Sequence, residues 1–119
     1  MAEVYNNDKK HLVIKMNNIE ATKLGFGVQI TGLNNMCICG SCNEECKPEE
    51  IYYIAGINEV MCKDCVDDYI KNMNHCNDKD SIIYEISHFN NVALKLGMKT
   101  VAMLSKNGKV ITTNKEEEN

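Results

Sequence analysis

The stretch that decides the fold is IYYIAGINEVMCKDCVDDYI, residues 51–70. A run of β-formers breaks at Ala55-Gly56 and resumes as a second β run. Cys62 and Cys65 follow, at the start of a helical pattern whose inward stripe is Val66, Tyr69, Ile70 and Met73. A hairpin that turns into a helix, with a cysteine pair at the junction, is an arrangement for aiming two sulfurs.

The other two sulfurs lie upstream. Cys39-Gly40-Ser41-Cys42 and Cys62-Lys63-Asp64-Cys65 together form C-x2-C-x19-C-x2-C, a spacing expected of a four-cysteine zinc site. Two sulfurs from one tight turn fill two corners of a tetrahedron with sides set by a metal–sulfur bond of about 2.3 Å, so two such turns complete it. Gly40 lets the first turn curl close to the ion, and its amide N–H is expected to offset thiolate charge. The second pair sits where the free N–H groups and positive end of the helix dipole favour thiolates. Knuckle, hairpin, then cysteine-bearing helix is the layout of a treble-clef zinc finger. Cys39, Cys42, Cys62 and Cys65 are therefore the expected ligands of one structural Zn²⁺. Four sulfur ligands leave no coordination position open for catalysis, and filling such a site stabilises the folded state by an apparent ~10–16 kcal/mol. Cys37, two residues before Cys39, and Cys46, four after Cys42, are alternative ligands by spacing. A second site from Cys37, Cys46, His75 and Cys76 is numerically open, although adjacent His75 and Cys76 chelate one ion poorly.

The composition agrees with a small intracellular domain. The chain has 119 residues, one domain's worth, and 7 cysteines, an odd number that suits free thiols better than a closed disulfide framework. The first twenty residues show no apolar signal-peptide core and nothing approaches a membrane span, so a cytoplasmic location is expected. Charge is uneven: +1 over residues 1–35, −6 over 36–80 and +1 over 81–119, for a net −4. A zinc tetrathiolate would take the net to about −6. All 13 basic residues are lysine, so no guanidinium is available for bidentate phosphate or guanine contacts. The acidic balance also opposes non-specific nucleic-acid binding.

Four segments are expected. Residues 1–35 form an N-terminal β segment: HLVIKMNNIEATKL reads as two strands turning at Asn17-Asn18, with Lys15 opposite Glu20, and GFGVQITG reads as a third strand. Residues 36–78 form the zinc-binding unit. In residues 79–114 a helix buries Ile82, Ile86, Phe89, Val92, Ala93 and Leu96, starts at a cap on Asp80 or Ser81 and stops at Gly97. A hairpin turning at Asn107-Gly108 follows it. Residues 115–119 are expected to be a disordered acidic tail. The fold class is thus α+β, a small single domain with a treble-clef finger, flanking antiparallel strands and a C-terminal helix plus β-hairpin.

In IAGINEVMCKDCVDDYIKNM and the knuckle before it, residues 37–74, the chain resembles the four-cysteine zinc-binding domain at the N-terminus of the ClpX unfoldase. Shared are the C-x2-C knuckle, Ile54-Ala55-Gly56 with five residues before the second C-x2-C, Val66 directly after it, and an acidic, apolar-striped helix. The resemblance implies that Cys39, Cys42, Cys62 and Cys65 hold zinc, that the domain dimerises, and that it binds substrates or adaptor proteins without chemistry of its own. Asn43 stands where that family has a glycine after the second cysteine, and Asn can also reach positive φ. The loop NEECKPEEIYY is one residue longer. The ATPase module has no counterpart: Gly27 to Gly32 imitates P-loop glycine spacing, but Leu33-Asn34 replace the required Lys-Ser/Thr.

The functional expectation is a zinc-stabilised protein-interaction module, an adaptor or regulator of the kind phages and mobile elements carry, with a protein partner or a homodimer as its association. Tyr52, Tyr53, Ile57 and Val60 are a candidate contact face, with packing in the core as the competing reading. The alternative is a DNA-binding regulator using residues 89–106 as a helix-turn-helix, with Lys99, Thr100 and Lys106 on the recognition helix. No catalytic set is visible. Tyr84, Glu85 and His88 read as a solvated trio, so enzyme activity is not expected; His11 and His88 have no cysteine or histidine at a metal-ligand spacing.

Overall fold

The computed structural model describes residues 2–5, 11–30, 34–75 and 78–114. The acidic tail, Cys76 and residues 31–33 of the P-loop-like stretch lie outside the described residues.

Among the described residues, eight strands and three helices make a small α+β domain whose buried apolar residues form one core. Its centre is an antiparallel sheet in the order β1-β2-β5-β6: β1 (Glu3–Val4), β2 (Val13–Met16), β5 (Ile51–Ile54) and β6 (Glu59–Met61). β5 is one of the two inner strands, with β2, and IYYI is buried at all four positions. That is the pattern of a strand covered on both faces. Tyr52 and Tyr53 are therefore core residues, as is Val60; of the candidate contact face only Ile57 is exposed. The aromatic bodies carry much of the packing, and Tyr53 satisfies its hydroxyl by donating to Asn58 Oδ1 at 2.6 Å.

The N-terminal hairpin turning at Asn17-Asn18 does not form. Asn17 is instead the N-cap of α1 (Asn18–Lys23). Its side chain accepts the Glu20 N–H at 2.8 Å while Glu20 accepts the Asn17 N–H at 2.9 Å, a reciprocal capping box. The sequence Asn-Asn-Ile-Glu supplies both halves of that box. Lys15 accordingly pairs with Tyr52 across β2–β5 and with Glu3 across β1–β2, not with Glu20. The third strand is present as β3 (Gly27–Ile30), and it pairs with β4 (Asn34–Cys37), which the sequence did not suggest.

Two helices flank the sheet. In α2 (Lys63–Asn72) Val66 is buried and Tyr69 and Ile70 are partly buried, whereas Met73 is the C-cap and exposed. Tyr5 ties the end of β1 to this helix by donating to Asp67 Oδ1 at 2.7 Å. α3 (Lys79–Lys95) starts at Asp78, whose carboxylate accepts the Ser81 N–H, so the cap lies two residues before the expected Asp80. Gly97 takes φ +72° just after the helix, as a terminating glycine should. Ile82, Phe89, Val92 and Ala93 are buried as expected, but so is Glu85.

α3 is followed by a β-hairpin, β7 (Thr100–Leu104) and β8 (Val110–Asn114), with Gly108 at φ +78° in the turn. This hairpin is a sheet of its own and does not join the central one. It also overturns the helix-turn-helix: the would-be recognition helix is strand β7, since β-branched residues around Asn-Gly favour a hairpin over a second helix. Asn90 docks the hairpin on α3 by donating to Ala102 O at 3.0 Å and accepting the Ala102 N–H at 2.7 Å.

The buried Glu85 locks α3 to the sheet. It accepts the Leu12 N–H at 3.0 Å with one oxygen and pairs with His75 Nε2 at 2.9 Å with the other. Removing it strands a buried donor. Glu85→Ala should destabilise the fold by about 2–4 kcal/mol, and Glu85→Gln, which keeps an acceptor, by clearly less. Urea unfolding measures both; equal costs would show that the Leu12 bond contributes nothing.

Candidate metal centre

The two C-x2-C turns converge. Cys39 and Cys42 come from the knuckle between β4 and β5, and Cys62 and Cys65 from the junction of β6 and α2. The ligand atoms of Cys39, Cys42, Cys62 and Cys65 all lie within 4.8 Å of one another. Among the described residues no other group of this kind exists.

Local geometry explains how the knuckle is built. The Cys39 N–H donates to Glu44 O at 2.9 Å and the Cys46 N–H to Cys37 O at 2.9 Å, with Ile38 bridged to Glu45 between them. These bonds close a narrow antiparallel loop whose tip carries Cys42. Asn43 turns that tip at φ +61°, the left-handed conformation that an Asn reaches more readily than most residues. The Ser41 and Cys42 N–H groups point at Cys39 Sγ, at 3.4 and 3.5 Å. The Gly40 amide, expected near the thiolates, instead donates to Val60 O at 2.8 Å and so fastens the knuckle to β6. A Cβ at Gly40 would meet the mobile end of the exposed Glu59 side chain and lie 3.2 Å from Val60 O, so the knuckle passes close to β6 here.

The second pair is held by the helix. Cys62 is the N-cap of α2 in extended conformation, and its carbonyl accepts the Val66 N–H at 2.9 Å. Cys65 lies in the first turn, facing the knuckle. Both sulfurs thus sit at the positive end of the helix dipole.

The dimensions fit a tetrahedral ion. Bonds of about 2.3 Å put ligand sulfurs about 3.8 Å apart. Cys42 Sγ and Cys62 Sγ are 3.9 Å apart, far longer than a disulfide, and all the described cysteines are free thiols. The four residues can hold one metal ion, and none of their corners is left for substrate.

The electrostatics of the thiols point the same way. Burial pushes Cys39 up, but N–H groups of Cys42, Cys62 and Ser41, with help from the Cys42 thiol, outweigh it and bring Cys39 down to about 7. Desolvation and the neighbouring Cys62, Cys39 and Cys42 thiols push Cys65 up to about 12. At Cys42 the Glu44 N–H pulls down, yet desolvation and the Cys39 and Cys62 thiols win and raise it. Cys39 is thus drawn toward the thiolate, and the crowding opposes ionising Cys42 and Cys65 unless a cation balances them.

The alternative ligands fall outside this cluster. Cys37 and Cys46 are buried, and burial raises both thiols, Cys46 to about 12. His75 is held by Glu85, and His11 Nε2 lies 2.8 Å from Met73 O, so neither histidine faces the sulfurs. Of the trio read as solvated, only Tyr84 is exposed: Glu85 is buried, and His88 is half-buried with Nδ1 3.2 Å from Ala55 O. The polar group of His11, Tyr69, His75 and Glu85 had one signal in the sequence, a carboxylate on the apolar stripe between Ile82 and Phe89.

The rim is acidic. Glu44, Glu45, Glu50 and Asp64 line an open cleft beside Cys42 and Cys62, together with Lys47 and Lys63. Among the described residues no helix is long and apolar enough to cross a membrane. No family model, curated protein or solved structure matches the chain.

Two outcomes follow from the geometry. Gly40→Ala should cost less than about 1 kcal/mol, because the exposed Glu59 side chain can swing aside; urea unfolding of the metal-loaded protein checks it, and a clearly larger loss would show that the added methyl displaces the Val60 carbonyl instead. The second concerns pH. In the unfolded chain thiols keep their protons up to about pH 8.5. A bound ion depresses the folded-state values, so its contribution to stability is complete above that pH and is lost as pH falls. The midpoint of thermal melts of the metal-loaded protein should fall steeply between about pH 8 and pH 5, with release of the ion over the same range. A midpoint that stays flat over that range would mean that the sulfurs do not bind as thiolates.

Proposed function

We propose that the chain is a zinc-stabilised protein-interaction module, built on a treble-clef finger of the kind found at the N-terminus of the ClpX unfoldase. The observation that carries this reading is the closed four-sulfur cluster, formed by a knuckle and the first turn of a helix with a hairpin between them. A four-thiolate tetrahedron suits zinc, and with every corner occupied by protein the ion is structural.

Several features support the comparison with ClpX. The hairpin β5–β6 turns at Ala55-Gly56, and Asn43 adopts the positive φ that a glycine supplies in that family. The acidic rim would favour a partner segment rich in Lys and Arg. The centre needs reduced thiols, which suits a cytoplasmic adaptor or regulator. No nucleic-acid reading accompanies this one, because the segment that would have read DNA is a strand and the chain is acidic.

Native mass spectrometry tests the metal. One Zn²⁺ per chain, with loss of four protons on binding, is expected. Chelation by EDTA should remove it and collapse the near-ultraviolet signal of the buried tyrosines, because an apparent ~10–16 kcal/mol of binding energy stabilises the fold. Iron in the site, or a metal-free chain that stays fully folded, would overturn the assignment. For the partner, a photo-crosslinking residue at Glu45, on the rim, should trap a discrete protein in cells. The trapped band should vanish when unlabelled wild-type chain is added in excess, and a band that resists competition would count against the reading.

A further inference from the structure

The four clustered cysteines are not equally open to solvent. Cys39 is fully buried, Cys62 and Cys65 are partly buried, and Cys42 is exposed at the tip of the knuckle. An open cleft of about 410 Å³ lies beside the cluster, and of the four only Cys42 and Cys62 line it. Their sulfurs are 3.9 Å apart, one carried by the knuckle and the other by the N-cap of α2. A purely structural centre needs its four sulfurs together. It does not need two of them side by side at an open cleft.

Thiolate character, exposure and a second cysteine close by are what make a sulfur react with peroxide. With the cluster loaded by a metal ion, Cys42 and Cys62 are both thiolates, and the second stands within reach of the first. Cys39 is a poorer partner for Cys42. It is buried, and the Ser41 and Cys42 N–H groups point at its sulfur, which stabilises it and blunts its attack. Cys65 does not line the cleft. The entrance also selects by charge: Glu44, Glu45, Glu50 and Asp64 against Lys47 and Lys63 leave −2 before the sulfurs are counted. Such a field repels anionic oxidants, whereas hydrogen peroxide is uncharged and little larger than water.

We propose that Cys42 and Cys62 are a peroxide-reactive pair that closes to a disulfide, with loss of the metal ion from the cluster. The inference rests on the metal-stabilised reading and goes beyond it, because it gives two of the ligands a covalent chemistry. The Cys42 thiolate attacks one oxygen of hydrogen peroxide; the O–O bond breaks, Cys42 becomes a sulfenic acid and hydroxide leaves. The Cys62 thiolate then attacks the Cys42 sulfur, the S–S bond forms and a second hydroxide leaves. Two electrons pass from the two sulfurs to the peroxide, and the two hydroxides take protons from solvent to become water. The sulfurs close from 3.9 Å to about 2.05 Å. Two thiolates, Cys39 and Cys65, remain, too few to hold the ion in a four-sulfur site. The new bond joins residues 20 apart and ties the knuckle to α2 where the ion had done so.

The test treats the full zinc-loaded chain with hydrogen peroxide under anaerobic conditions. A chromophoric chelator reads the zinc released, and iodoacetamide under denaturing conditions counts the thiols that remain. Digestion at glutamate separates Cys42 from Cys46 and from Cys62, so tandem mass spectrometry can map the bond. One zinc released and two thiols lost per peroxide consumed are expected, with a single Cys42–Cys62 disulfide. Dithiothreitol with added zinc should restore the loaded chain. A bond within either C-x2-C turn, a bond to Cys37 or Cys46, or oxidation past the sulfenic acid without a disulfide overturns the proposal. So does zinc that stays bound in excess peroxide. In each of those cases the metal-stabilised module still stands, whereas a chain that takes up no zinc at all overturns both.

Discussion

Four sulfurs brought within 4.8 Å of one another repel as thiolates unless a cation lies among them. The structure between residues 37 and 72 is organised around that constraint. The knuckle hydrogen bonds, the Asn43 turn, the Gly40–Val60 link and the helix start at Cys62 each contribute to the convergence. None of them buries much apolar surface. An ion held among the four sulfurs would balance that charge, and four-sulfur units of this kind are commonly folded with metal and unfolded without it.

A second set of constraints joins this unit to the rest of the chain. β5 belongs both to the hairpin that aims the cysteines and to the sheet that includes the N-terminal strands. The sheet therefore transmits position: residues 13–16 lie directly against 51–54, and Ile51, Tyr52, Tyr53 and Ile54 can be fully buried only because β2 and the helices cover them. Glu85 closes the arrangement by holding the backbone of Leu12 and the ring of His75 from α3. A buried carboxylate is stable there because both oxygens are satisfied.

The convergence of the four cysteines was legible because its information is local. Each C-x2-C turn places two sulfurs within a few residues, and the hairpin and helix between and after them follow patterns of period two and period 3.6. The Asn107-Gly108 hairpin and the Gly97 stop were legible for the same reason. Asn17-Asn18 misled because Asn is at home both in tight turns and at helix N-caps, and only the bond back from Glu20 separates the two. The cap of α3 lay at Asp78 and not at Asp80 or Ser81 because several capping residues stand close together, and only the bond from the Ser81 N–H to the Asp78 carboxylate separates them.

By itself the sequence determined the four cysteines that converge, the hairpin and helix that carry two of them, and the Asn107-Gly108 turn, since all of these depend on spacing and on the conformational preferences of single residues. The tertiary structure alone decided which surfaces those elements share. It put Tyr52 and Tyr53 inside, because a strand flanked by two others and covered by helices has no outer face. It gave Glu85 a buried role, set by a partner 73 residues away. It kept the C-terminal hairpin out of the central sheet and left β8 at an edge. Those outcomes depend on pairings between distant segments, and no local pattern encodes them.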